Sequence, residues 1–223
     1  SSADSMYDVR FDSVVYDEHT LILKNFRLEP SEKNYNKDKK YVSIPDFELR
    51  EISLSELISN QRLKAEELVL KNSRTINYYY PKSDQIKPTQ PITKLIDEID
   101  KKIDLAKVRI ENGYLLSQSV SDKTQKVEVT GIYSNISTNE LLRAPSFEIM
   151  GYSIGRLKFE KASITTGKTV SIFEKGELHG KEKLIVAGSV SIKNVQNKST
   201  VKIENIRLNN YHFDDEFSDV FID

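Results

Sequence analysis

The chain has 223 residues and balances 33 Lys and Arg against 34 Asp and Glu, for a formal charge of −1 at neutral pH. That balance gives no electrostatic footing for nucleic acid or an anionic membrane surface, and the absence of Cys excludes disulfides, thiolate zinc sites and thiol catalysis. With 38% hydrophobic and 30% charged residues, only 8 Gly and 6 Pro, and a mean hydropathy of −0.51, the composition predicts an ordered, soluble chain lean in core-forming material.

The length suits one large β domain or two small ones. No stretch approaches the roughly 18 apolar residues that would span a bilayer as a helix. The first residues, SSADSMYDV, lack the charged and apolar regions of a signal peptide.

Taken in order, the elements read mostly as half-buried strands, because apolar residues alternate with polar ones. Val9-Arg-Phe11, Leu21-Ile-Leu23, Val42-Ser-Ile44 and Phe47-Glu-Leu49 open the series. A Lys-rich loop, Pro30 to Lys40, separates the second from the third, and its interleaved Glu32 and Asp38 make it a solvated excursion rather than an anion site. Ser53 to Gln61 predicts one or two helical turns behind a Ser cap, and Leu68-Val-Leu70 returns to strand. A Pro-rich connection, Tyr78 to Pro91, leads into the clearest helical pattern, over about 91–105, where Ile92, Leu95, Ile96, Ile99 and Ile103 recur at helical spacing.

Beyond it come Val108-Arg-Ile110, Val127-Glu-Val129, Phe147-Glu-Ile149 and Leu157-Lys-Phe159. Val170-Ser-Ile172, Leu184-Ile-Val186, Val190-Ser-Ile192 and Val201-Lys-Ile203 complete the series. Thr138 to Pro145 and Asp214 to Phe221 predict short turns.

One phrase recurs: apolar, any, apolar, Lys or Glu, Asn. It ends at Asn25, Asn72, Asn112 and Asn205, with Lys161 in the same slot of a degenerate fifth copy. At each the parity of alternation switches, as Leu21 and Leu23 give way to Phe26 and Leu28. One extra residue re-aims the strand, the mark of a bulge or sharp bend, and Asn tolerates the left-handed backbone such a position demands. The spacing predicts a β protein built from repeats of about 45 residues. The expected divisions are 1–80, an N-terminal β-repeat region; 81–105, the Pro-rich connection and helix; and 106–223, a C-terminal β-repeat region, with one sheet able to run through all three.

The stretches YDVRFDSVVYDEHTLILKNFRLEP and YVSIPDFELREISLSELISNQRLKAEELVLKNSRTINYYYP, followed by KVRIENGYLL, resemble the AsmA/TamB-like superfamily of bacterial envelope proteins, in particular its Bacteroidetes-type members. The shared steps are a strand, a second strand ending in Asn-apolar-x-Leu-x-Pro, a strand running into a short Leu-rich helix, and a further Leu-x-Leu strand. The resemblance covers about the first 135 residues. It implies an elongated, curved, groove-like antiparallel sheet with an apolar lining. It also implies a periplasmic, membrane-associated protein with an N-terminal anchor or signal upstream of Ser1, and a part in phospholipid movement or outer-membrane homeostasis. It supplies no catalytic residues and no cofactor.

The chemistry-bearing residues point the same way. His19, His179 and His212 stand far apart without ligand-spaced partners, and the acidic cluster Asp214, Asp215, Glu216 and Asp219 lacks the spacing of a calcium loop. Gly151 and Gly155 are not followed by the Lys-Ser/Thr of a phosphate loop, and no nucleophile elbow occurs. A non-enzymatic role is therefore expected, with no metal.

The candidate lining for a phospholipid or fatty-acid chain is Phe11, Leu21, Leu23, Leu68, Leu70, Val108, Ile110, Leu157, Phe159, Val201 and Ile203. The competing reading is a β-sandwich adhesion or scaffold module that binds a protein or glycan through Tyr78, Tyr79 and Tyr80. In either case envelope proteins, or a second copy meeting an exposed sheet edge, are the expected protein partners.

Overall fold

A computed structural model describes residues 7–32, 39–60, 62–80, 103–138 and 154–209. The chain is mainly β. Its strands are β1 (Tyr7–Arg10), β2 (Ser13–Asp17), β3 (Thr20–Pro30), β4 (Lys39–Arg50), β5 (Leu63–Lys71) and β6 (Arg74–Tyr79). They continue with β7 (Ile103–Ser119), β8 (Lys126–Ser137), β9 (Ile154–Thr166), β10 (Thr169–His179), β11 (Leu184–Asn194) and β12 (Thr200–Asn209). All 12 belong to one sheet ordered β1-β3-β4-β5-β7-β8-β9-β10-β11-β12. β2 lies beside β1 on the outer edge of β3, and β6 follows β5 in the column between β4 and β7.

The period-two alternation is thus correct, but the sheet is mixed rather than antiparallel throughout. β5 and β6 run parallel to β7, while the other pairings are antiparallel. A parallel neighbour needs a long connection, and residues 80–102 separate β6 from β7 in the chain. The helix predicted over 91–105 must be corrected at its end. Ile103, Asp104 and Leu105 open β7, with Ala65 registered against Leu105. Ile99 and Ile103 share helical spacing, yet Ile103 and Leu105 also share strand spacing, and pairing with β5 decides between them; residues 91–102 lie outside the described residues. So do the predicted turns at 139–145 and 214–221 and the alternation at Phe147 to Ile149.

The one described α-helix of any length, α1 (Leu54–Asn60), starts where its cap predicts: the Glu56 N–H donates to Ser53 Oγ at 3.4 Å. Nearby, Leu49, Ile52, Ala65 and Leu105 form the buried core cluster, with Leu21, Phe47, Leu63, Leu68 and Val108 packed against it. The Ile52 N–H donates to the His19 carbonyl at 2.9 Å, which ties this corner to the β2–β3 turn.

The recurring Asn phrase has a direct structural meaning. Asn25, Asn72, Asn112 and Asn205 all have left-handed backbones, with φ of 54°, 53°, 56° and 55°. Lys161 does not, which corrects the fifth slot; Lys175 (φ 54°) and Gly131 (φ 63°) take left-handed positions instead. The slot moves because residues are recruited by their level in the sheet, not by sequence spacing.

These positions line up across the strands. Asn25 faces Pro45, in the gap between the pairs Lys24–Asp46 and Phe26–Ile44. Asn72 and Ser73 face Asn112 and Gly113, and Asn112 Nδ2 donates to Asn72 Oδ1 at 2.8 Å. Gly131 then falls opposite Glu160, Glu160 opposite Lys175, Lys175 opposite Gly188, and Gly188 opposite Asn205. A single line of irregular backbone therefore crosses the sheet from β3 to β12. Pro45 can sit on it because a ladder gap asks for no N–H.

Candidate apolar binding face

Directly opposed residues on neighbouring strands project to the same face, so the register traces which side chains share a surface. On one side of the irregular line the chain of partners is Val14, Leu23, Phe47, Leu70, Ile110, Ser134, Leu157, Leu178, Ile185 and Leu208. On the other side it is Val9, Leu28, Val42, Thr75, Leu115, Val129, Ala162, Phe173, Val190 and Ile203. Each row crosses the whole sheet with a single polar member, Ser134 in the first and Thr75 in the second.

The parity switch keeps both rows on one face. Phe26 stacks on Phe47 across the line, ring centroids 5.2 Å apart. A Cβ placed on Gly113 would lie 2.9 Å from Ile110 Cγ2, so the line passes close beside the Ile110 side chain. Without the extra residue at each left-handed position, one row would turn to the opposite surface.

Between the rows, the Phe159 ring lies directly over Gly176, where a Cβ would come within 1.9 Å of the ring. Ala187 follows Gly176 in register, so small residues seat the aromatic.

The first row is half-buried or exposed along all its apolar members, with Val14 half exposed. In the second row only Ala162 and Val190 are buried, at 8% each, while Val9 and Ile203 at the ends are 55% and 52% exposed. A sealed face would bury such side chains, as the cluster with Ile52, Ala65 and Leu105 buries Leu49. Ser134 is itself buried, and its Oγ finds no hydrogen-bond partner among the described residues.

Behind the first row the reverse face is charged. Lys24, Asp46, Lys71 and Glu111 follow one another across four strands with alternating sign. Glu48 accepts from Arg50 and Lys71, and Glu67 pairs with Arg50, Lys107 and Arg109. Burial pushes the Glu48 carboxyl up, but hydrogen bonds from Lys71 and Arg50 outweigh it and leave the group below the usual carboxylate range. Glu177 is held down to about 2, chiefly by the Arg156 guanidinium, with Lys158 and His179 adding to it against the cost of burial. The aliphatic stems of such side chains also shield apolar surface, and Val69, in register with Glu48 and Arg109, is fully buried.

Two open depressions, of about 320 and 240 Å³, meet mainly this polar surface around Arg109, Glu111, Asn135, Arg156, Lys158 and Glu177. Arg109, Glu111, Arg156, Lys158 and Glu177 are engaged in ion pairs, and neither depression gathers a nucleophile with a base. Among the described residues no group of three or more His, Asp or Glu is placed to hold a metal, and no described helix is long and apolar enough to cross a membrane.

The sequence-predicted lining is largely brought together. Leu21, Leu23, Leu68, Leu70, Val108, Ile110, Leu157 and Phe159 share the apolar face on one side of the line, and Val201 and Ile203 lie on the same face beyond it. Phe11 is placed outside any strand, in the bend between β1 and β2, and is 47% exposed. Tyr78 and Tyr79 are adjacent in β6 and point to opposite faces, Tyr78 packing edge-on against Tyr41 at 6.2 Å, so the three tyrosines do not form one platform. Tyr80 follows the strand and is exposed.

Val9, Val14, Leu28, Val42, Phe47, Leu115, Val129, Ala162, Phe173, Leu178, Ile185, Val190 and Leu208 complete the apolar members of the rows. Several stood in visible alternations, but only the register assigns them a face. No protein-family model matches this chain, and no curated protein matches it.

Proposed function

We propose that the chain is a non-enzymatic lipid-handling protein that shelters acyl chains against the apolar face of its sheet. The observation that carries this reading is the pair of apolar rows, each with a single polar member, on one face that no second layer among the described residues covers. Contiguous exposed apolar surface of this extent marks an interaction site in a folded protein. Each acyl methylene removed from water would contribute about 0.8 kcal/mol, so a chain laid along one row gains affinity without any polar recognition. Rows that run across the whole sheet with one polar member each suit a long, flexible, featureless ligand such as phospholipid or fatty acid.

The line of left-handed residues supports a curved sheet, since bulges at one level bend every strand at that level. The recurrence of Asn at that line supports a repeated unit of about 45 residues. On the AsmA/TamB-like resemblance, the proposed work belongs to the bacterial envelope, in the periplasm, in lipid transfer or outer-membrane homeostasis.

Extraction of detergent-free protein with organic solvent, followed by mass spectrometry, tests the reading. Phospholipid or fatty acid in stoichiometric amount is the expected result. A clean extract from protein that also fails to take up a fluorescent fatty acid would overturn it.

A further inference from the structure

We propose that the two outer edges of the sheet are complementary and join head to tail, β12 of one copy pairing in parallel with β1 and β2 of a second copy. Among the described residues nothing pairs with the outer edge of β12, and nothing pairs with the outer edges of β1 and β2. Unpaired strand edges present rows of free N–H and C=O groups that template a further strand. Both edges also leave apolar side chains in water: Val9 and Val14 are 55% and 50% exposed, Val201 and Ile203 59% and 52%.

Three features specify a second copy as the occupant. The first is direction. Followed through the pairings, β12 runs the same way as β1 and β2, so copies related by translation meet in parallel, an arrangement this sheet already adopts where β5 meets β7. The second is register. The apolar rows begin at Val9 and Val14 and end at Ile203 and Leu208, the same sequence separation in each case. Both rows therefore pass from one copy to the next in a single alignment.

The third is charge. Setting Val9 beside Ile203 sets Asp8 beside Lys202 and Arg10 beside Glu204, opposite charges at both positions. These four side chains are 44%, 53%, 68% and 62% exposed in the single chain, where Arg10 pairs with Asp8 at 3.9 Å and Lys202 with Glu204 at 2.6 Å, so the contact exchanges pairs along each strand for pairs across the junction. The contact is heterologous, so it leaves one edge of each kind open and the assembly grows without closing. This proposal does not depend on lipid binding, although it would extend the apolar face from copy to copy.

Sedimentation velocity over a concentration series tests it. The average mass is expected to climb from 25.6 kDa past the dimer, and to fall as salt screens the edge charges. Asp8→Lys and Lys202→Glu should each weaken association about fivefold by setting like charges opposite, and the double variant D8K/K202E should restore it. Circular dichroism and thermal unfolding confirm that each variant folds. A protein that stays monomeric, one that stops at a closed dimer indifferent to D8K, or a double variant no better than the singles would each overturn the proposal.

Discussion

The corner beside α1 and the end formed by β9 to β12 both carry apolar strand residues and treat them differently. At the closed corner Leu49, Ile52, Ala65 and Leu105 are buried against one another. At the open end Leu157, Leu178, Ile185 and Leu208 remain only half-buried on an equally apolar row. Similar strand writing thus yields a buried cluster where β4, β5 and β7 meet and, among the described residues, a half-exposed surface at the other end. Stability should concentrate in the first region and ligand contact in the second.

Truncation separates the two most strongly. Leu49→Ala should cost about 3 kcal/mol, the usual loss for emptying a buried aliphatic site, whereas Leu208→Ala should cost under about 1 kcal/mol. Urea unfolding of both variants gives the ratio, and equal losses would show the open end to be as closed as the corner. Gly176→Val comes next, at about 2 kcal/mol, because the added side chain must displace the Phe159 ring from its seat. Its effect should stay within β9 and β10, visible as faster amide exchange there than in β4 and β5.

A smaller effect tests the irregular line that both regions share. Asn112→Ala places a residue without Asn's local polar side chain at φ 56° and should cost about 1 kcal/mol, while Asn112→Gly should be near neutral despite losing the bond to Asn72. If the two variants unfold alike, the backbone conformation is not what the position selects.

The smallest effect lies on the charged face and appears only in acid. The Glu177 carboxyl sits at about 2 when folded against 4.5 ordinarily, so its contribution is complete above about 4.5 and disappears as pH falls toward 2. Glu177→Gln should flatten part of that acid limb and leave the open apolar rows untouched.

Much of this comparison was legible in the sequence, and the reasons for the rest are physical. Alternation at Leu21 to Leu23 or Val201 to Ile203 is a local property, so strands declare themselves. The parity break at Asn25, Asn72, Asn112 and Asn205 is also local, and all four are left-handed. Lys161 failed as a fifth slot because the irregular line is fixed by register, which puts the left-handed residue of that neighbourhood at Lys175 in the next strand. The parallel entry of β7 was hidden because Ile103 satisfies helical and strand spacing alike.

For the candidate face, periodicity says that Leu23 and Leu70 each have an apolar side, but not that they share it. That fact rests on Phe47 standing between them. Phe11 passed as a lining residue because alternation continues past Arg10, where the strand itself ends.

The most direct test of the apolar rows is to load the protein with a photoreactive fatty acid, irradiate, and map the adducts by peptide mass spectrometry. Adducts on Leu23, Leu70, Ile110, Leu157 and their row partners, and on few residues of the reverse face, are the predicted outcome. Adducts concentrated on the charged face around Arg109 and Lys158, or none above those on unrelated protein, would contradict an acyl-chain site on the apolar face.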